Sequence, residues 1–318
     1  MDNPELSVVI PFLNEERVLP LLRQRLEKLG ARAPAWELLF ISDGSTDASV
    51  DYVETWARHD PAVKLAVLTR NFGHQNAISA GLLLASGNCI GIMDADLQDD
   101  PETLLEMYNA MQAEHLDVIY AVRSTRSETA IKRALYALFY RVFLFLSDTP
   151  IHMDSGDFCV LSRRAVRLLL GLPEKLRFVR GLRAWLGLKS RPFPVARGAR
   201  AAGQPQYSFA KLLTLAASGL TSFSTKPLRI GFFCGAILCL GALLAGSVYL
   251  ALALFSNIHI AAPGFSTLVV FLLFSNGLVF LYLGILGEYL GQMFLEIKGR
   301  PSFIIERTVN LDREIPSP

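Results

Sequence analysis

The stretch CIGIMDADLQDDPE, residues 89–102, opens on a short apolar run and ends among acids. Cys89–Met93 has the length and composition of a buried strand, and the polar residues after it mark where that strand stops. Three similar runs precede it, at Leu6–Pro11, Glu37–Ser42 and Val63–Thr69. Helical patterns lie between them, at Glu16–Leu29, Ala48–Arg58 and His74–Ala85. Strands alternating with helices predict βαβ units with both sheet faces covered, an α/β, Rossmann-like fold on a mostly parallel sheet. Sheets of this kind bind ligands beyond the carboxyl ends of their strands.

Each strand end carries suggestive side chains. The first runs into PFLNEE (11–16), the second into DGSTD (43–47), the third into RNFGH (70–74) and the fourth into DADLQ (94–98). Asp94 and Asp96 are the sharpest feature. On an extended segment, residues i and i+2 point to one side, and two facing carboxylates repel unless a cation or proton lies between them. Hard oxygen ligands suit Mg²⁺ or Mn²⁺ completed by substrate phosphates. Asp100-Pro101-Glu102 instead reads as a helix cap with proline at the first helical position. Asp43 is read as an acceptor for a base or ribose, against the alternative of a turn-forming Asp. Asn14 and Glu15 serve equally as ligands or as a helix start. Neither GxGxxG nor GxxxxGK[ST] is present, so dinucleotide and P-loop sites are excluded.

The 318 residues are 52% hydrophobic and 19% charged, with a formal net charge of +2. A disordered chain and an ordinary soluble enzyme are both excluded by that apolarity. The small total conceals three blocks. Residues 1–122 carry 8 basic and 19 acidic side chains, residues 123–229 carry 19 and 5, and the remainder carries 4 and 5. A basic block beside an apolar one points to an anionic membrane surface or a phosphate-bearing lipid, not to nucleic acid. From Ile230 to Gly287 there is no Asp, Glu, Lys or Arg. Turn residues near 256–259 and 263–264 divide this stretch into two runs, about 230–255 and 265–287, each long enough to span a bilayer. Lys226 and Arg229 before the pair, with Lys298 and Arg300 after it, predict a hairpin with both termini cytosolic. Leu6–Ile10 is strand-length and follows no basic region, so no signal peptide is expected. The four cysteines form no CxxC pair, which argues against a disulfide framework or zinc site. Gly231, Gly235 and Gly241 permit close helix contact, including between copies in a homo-oligomer.

Together, PFLNEE, SDGSTDAS, RNFGHQNAISAG and DADLQDDPE resemble the family-2 glycosyltransferases with the GT-A fold. DSGDFCVLSRRAV, LPEKLRFVRGLRAWLG, TSFSTKPLRI and LGEYLGQMFLEIKGRP extend the resemblance to the membrane-bound polyprenyl-phosphate glycosyltransferases. Bacterial bactoprenol glucosyltransferases are most similar, and dolichyl-phosphate mannose synthases less so. The resemblance implies transfer of glucose from cytosolic UDP-glucose to undecaprenyl phosphate at the bacterial cytoplasmic membrane, with GDP-mannose or an amino-sugar nucleotide as alternative donors. It implies that Asp94 and Asp96, with Gln98 nearby, hold the divalent ion, and that Pro11, Asn14, Glu15, Asp43 and Asp94 line the nucleotide-sugar site. Asp157 matches the catalytic carboxylate, and turnover is expected to depend on Asp96 as well. Arg123, Arg126, Arg197 and Arg200 match positions near the acceptor phosphate. The implied organisation is a catalytic domain over 1–207, a juxtamembrane amphipathic helix over 208–229, a transmembrane pair over 230–290 and a cytosolic tail over 291–318.

Two departures stand out. Ser42 replaces the usual Asn or Asp before Asp43-Gly44-Ser45, and Gly203-Gln-Pro-Gln-Tyr207 lacks the acid and lysine of the family's corresponding run. Ile131–Leu146 and Ser208–Ser222 read as interfacial helices. Arg163, Arg164 and Arg167 read as solvated or lipid-facing surface, and His74, His152 and Trp185 as packing. A phosphate acceptor is mostly ionised already, with a second pKa near 6, so Asp157 is expected to position substrates more than to remove a proton. A processive synthase would need more membrane helices and a QxxRW motif that this chain lacks. A non-catalytic adaptor would not need Asp43, Asp94, Asp96 and Asp157.

Overall fold

A computed structural model describes residues 4–30, 32–123, 155–175, 177–195 and 265–311, with single positions between 226 and 247. The four apolar runs form β1 (Leu6–Phe12), β2 (Trp36–Ser42), β3 (Val63–Leu68) and β4 (Cys89–Ile92). They are joined by α1 (Leu19–Gly30), α2 (Ser49–His59) and α3 (His74–Leu84), and α4 (Pro101–Glu114) follows β4. β1 pairs in parallel with β2 and β4, and β2 with β3. Every residue of β1 is buried, as a strand covered on both faces requires. The core beneath α1 and α2 joins Leu19, Leu22 and Leu26 to Ile10, Phe40 and Trp56. α1 starts later than its periodicity suggests, because the chain first turns through Asn14 at φ 56°. Asp100 caps α4, accepting from Thr103 N at 3.1 Å, with Pro101 in the first turn.

Beyond α4 come β5 (Val118–Arg123), β6 (Ser155–Ser162), α5 (Arg163–Gly171), α6 (Val179–Trp185), β7 (Ser190–Val195) and, near the C-terminus, β8 (Ile305–Val309). The sheet order is β7-β5-β6-β4-β1-β2-β3-β8. It is a mixed sheet that is mostly parallel, as expected: four of its seven strand pairings are parallel. β6 runs antiparallel to both β4 and β5, and β8 antiparallel to β3, while β5 and β7 are parallel. Local periodicity reports consecutive βαβ units, but the direction of β6 is set by partners far away in sequence. That direction matters. Cys159 sits opposite Ile92, so the first residues of β6 extend past the end of β4, to the edge where the carboxyl ends of β1–β4 lie.

The opposite edge is closed by a buried carboxylate. Glu37, 2% exposed, accepts from Ser7 Oγ at 2.5 Å, from Ser86 N and Oγ at 2.6 Å each, and from Lys64 Nζ at 2.6 Å. Gly87 lies against Ser7 so closely that a Cβ would meet Ser7 N and Oγ at 2.7 Å. Arg163 is not a free surface residue: it donates to the carbonyls of Ala85 and Gly87 at 3.0 and 2.8 Å. Trp185, by contrast, is 58% exposed rather than packed.

The chain divides into two compact units. One comprises Met1–Tyr140, Thr149–Leu212 and Gly299–Pro318; the other comprises Arg141–Asp148 and Leu213–Lys298. In the second unit, α7 (Phe265–Ile297) is apolar and exposed. Among the described residues it alone is long and apolar enough to cross a membrane, with mean hydropathy 1.6 over Phe274–Ile297. It continues past the expected end at Gly287, because no helix-stopping residue intervenes before Gly299, at φ 66°, and Pro301. Of the expected two-helix hairpin, the first span lies mostly outside the described residues. A Cβ on Gly231 would meet the Tyr282 ring of α7 at 2.1 Å, whereas Gly235 and Gly241 have nothing within 4 Å. Within the first unit, the C-terminal segment supplies β8, where the Asn310 amide donates to the carbonyls of Ala57 and Val63 at 2.6 and 2.9 Å.

Candidate functional site

The loops after β1 and β2 are stitched together at the carboxyl edge of the sheet. Asn14 N donates to Ser45 Oγ at 3.1 Å, and Thr46 N to Asn14 Oδ1 at 2.8 Å. Glu15 N donates to Ser49 Oγ at 2.8 Å. Pro11 is buried in β1, Glu15 is half-buried and Asn14 is exposed. Asp43, 4% exposed, accepts from Phe72 N at 2.7 Å and Gly73 N at 3.0 Å. Burial pushes its carboxyl up, and these two bonds only partly offset that. Its oxygens thus anchor the loop after β3. Gly44, at φ 73°, is required here: a Cβ would lie 2.5 Å from Arg70 C and 2.6 Å from Asn71 N.

The loop after β4 begins at Met93. Residues 95 and 96 form a turn and Leu97 has φ 62°, so Asp94 and Asp96 do not share one side of an extended strand. Asp94 and Gln98 line a cleft with Asp99, Asp100 and Asp157. Asp96 accepts from Gln98 N at 3.0 Å, bracing the turn, and Asp99 accepts from Asp94 N at 3.2 Å. The cleft encloses about 50 Å³, room for an ion and a few waters.

Asp157 reaches this edge because β6 is antiparallel. Its side chain is 9% exposed. Oδ2 accepts from Gln75 Nε2 at 2.8 Å and Arg180 Nη2 at 3.3 Å, and His74 Nε2 stands 3.7 Å away. The same His74 nitrogen lies 3.4 Å from Asp94 Oδ1. Burial alone would raise the Asp157 carboxyl, but the neighbouring His74 and the Arg180 charge outweigh it and hold it at about 2. Partial burial disfavours the His74 imidazolium, yet Asp157 and Asp94 together push its pKa above the ordinary histidine value. Arg183, 7% exposed, stacks over the Tyr120 ring at 4.8 Å.

Residues 7–170 match the family model for glycosyl transferase family 2. This chain belongs to that family. The relatives agree over nearly the whole length. The glycosyltransferase YkcC of Bacillus subtilis (strain 168) is 39% identical over 310 residues, covering 97% of this chain and 95% of that protein. The prophage bactoprenol glucosyl transferase homolog of Escherichia coli (strain K12) is 35% identical, covering 95% and 99%. The bactoprenol glucosyl transferase of Shigella phage SfII is 34% identical, covering 96% and 98%. Among solved structures, a mannosyltransferase from Pyrobaculum calidifontis is 19% identical with TM-score 0.47, covering 93% of this chain and 86% of that one, a likeness too low to argue from.

For a family-2 glycosyltransferase, the divalent ion is the group to test against these side chains. Among the described residues, no three His, Cys, Asp or Glu side chains are gathered as a ready-made metal site. The cleft nevertheless presents hard oxygen donors, Asp94, Gln98 and Asp99. Mg²⁺ commonly takes one or two carboxylates and completes its shell with phosphates and water, so this donor set fits an ion that arrives with a diphosphate. Arg126, Arg197 and Arg200 lie outside the described residues, as do His152 and both expected interfacial helices; Arg123 ends β5.

Sequence reasoning missed His74, Gln75, Arg180 and Arg183. His74 and Gln75 do occupy a strand-end motif, RNFGHQ, which places them at the binding edge. Arg180 and Arg183 are three apart, a spacing that puts both on one helix face.

Proposed function

We propose that this family-2 glycosyltransferase moves a hexose, glucose in our reading, from a UDP-sugar to a polyprenyl phosphate on the cytosolic face of a bacterial membrane, inverting the anomeric centre. The observation that carries the reading is the convergence of Asp94, Gln98 and Asp157 on one cleft at the carboxyl edge of the sheet. The names of the full-length relatives support the acceptor and the sugar. The apolar exposed α7 supports attachment to the bilayer.

Asp94 and Gln98, with Asp99 beside them in the cleft and Asp96 on the adjoining turn, would hold Mg²⁺ or Mn²⁺, and the bound ion would offset the charge of the departing diphosphate. The paired loops around Asn14, Glu15 and Asp43 shape the nucleotide side of the site, where Asp43 both meets the nucleotide and holds the backbone of residues 72 and 73. Asp157 stays ionised at neutral pH. A carboxylate so acidic is a weak proton acceptor, and the phosphate acceptor needs little deprotonation. Its task is to orient a sugar hydroxyl and to face the positive charge that develops at the anomeric carbon. Orientation is the main contribution of the protein.

The test is nucleoside diphosphate release by the purified full-length protein with undecaprenyl phosphate, screened across UDP-glucose, GDP-mannose and amino-sugar nucleotides. Release from UDP-glucose that requires the lipid phosphate is expected. Polymer formation, or no release from any donor, would overturn the reading.

A further inference from the structure

We propose that Gln75 is a positioning residue that fixes which oxygen of Asp157 faces the reacting groups. The inference rests on the role given above to Asp157. Gln75 is the second residue of α3, and its side-chain amide is used at both ends. Nε2 donates to Asp157 Oδ2 at 2.8 Å, while Oε1 accepts from the backbone N–H of Val179 at 2.9 Å. Val179 is the first residue of α6, and the next residue, Arg180, points its guanidinium at the same Oδ2. One neutral side chain therefore ties the carboxylate to the helix that carries its cationic partner.

The consequence is asymmetry. Oδ2 is occupied by Gln75 and Arg180, with His74 close by. Oδ1 is buried and has no hydrogen-bond partner among the described residues, although Asp157 itself lines the cleft. A buried carboxylate oxygen without a partner is costly, so a free carboxylate would rotate to share its donors. Gln75 opposes that rotation, because its amide is held at the far end by Val179 and cannot follow. His74 and Arg180 supply charge but are single points of attraction; the amide supplies direction. Oδ1 is left as the working oxygen, the one that would meet a sugar hydroxyl.

The decisive variant is Gln75→Met, similar in length and lacking both hydrogen bonds. In the full-length protein, kcat with lipid phosphate should fall about tenfold to a hundredfold, while the KM for the nucleotide sugar moves less than about threefold. Gln75→Glu keeps the acceptor for Val179 but repels Asp157, and should fall at least as far. In an Asp157→Asn background, Gln75→Met should have little further effect, since the residue acts through that carboxylate. Undiminished kcat in the single variant, or losses that simply multiply in the double variant, would overturn the proposal. A wild-type protein inactive with every donor would instead count against the proposed function. In that event a crystal structure of Gln75→Met decides the point: an Asp157 carboxylate turned from its present orientation supports the inference, and an unmoved one refutes it.

Discussion

Asp157 and Glu37 show two uses of a buried carboxylate. Asp157 is held as an anion beside cations and keeps one oxygen without a protein partner. Because it is ionised at about 2, it should contribute no titration to activity in the neutral range. Activity should fall below about pH 6 as the acceptor phosphate protonates. Asp157→Asn should lower kcat by about a hundredfold while leaving that acidic limb in place; a pH–rate profile whose limb vanishes in the variant would mean that Asp157 is a base. Glu37 has every bond internal. Burial raises its carboxyl, but Lys64, Ser7 and Ser86 outweigh this and leave it below the ordinary glutamate value. A depressed folded-state pKa gives stability that is present above the unfolded value and lost as pH falls through the folded one. Thermal unfolding midpoints should therefore drop in the wild type as the pH falls below the ordinary glutamate range. Glu37→Gln should flatten that dependence and destabilise the protein by about 1–3 kcal/mol at pH 7.

At the scale of elements, the site is made by loops that grip one another. The turn after β2 is seated on the loop after β3 through Gly44, and Asp43 holds that loop by two backbone N–H groups. Gly44→Ala combines a left-handed backbone with a clash against backbone atoms, where no side chain can move aside. It should cost about 1–3 kcal/mol in stability, read by thermal unfolding, and should weaken nucleotide binding, read by calorimetry with UDP. Unchanged UDP affinity would separate this grip from the nucleotide site. The four parallel strands were legible because each is a short apolar run closed by turn residues. The positions of Asp43 and Asp94 at strand ends were legible for the same reason. His74 was not, because one histidine after a glycine looks alike whether it packs or bridges two carboxylates.

For the molecule as a whole, the acidic first block of sequence carries Asp43, His74 and Asp94 while the basic second block supplies Asp157 and Arg180, and α7 presents an apolar surface with Phe280 72% exposed. In water such a surface is a liability; in a bilayer it is a match. Phe280→Lys should oppose insertion by about 3 kcal/mol, raising the fraction of protein released from membranes by alkaline carbonate. Retention equal to that of wild type would argue that the bilayer does not cover this part of α7. The segment after α7 then returns to the first unit as β8, pairing with β3 and covering the edge that would otherwise stay open.

What the sequence determined by itself was local: strands, helix caps, acid-bearing turns, an uncharged run of membrane length and membership of a glycosyltransferase family. These follow from period, turn chemistry and motif order within a few tens of residues. Only the tertiary structure decided that β6 runs antiparallel beside β4, and so brings Asp157 to His74, Gln75 and Asp94. It alone set Arg180 on the same carboxylate and gathered Ser7, Glu37, Lys64 and Ser86 at the far edge. The physical reason is that these contacts depend on how distant segments pair and pack, and no local pattern encodes the direction of a strand inserted between two others.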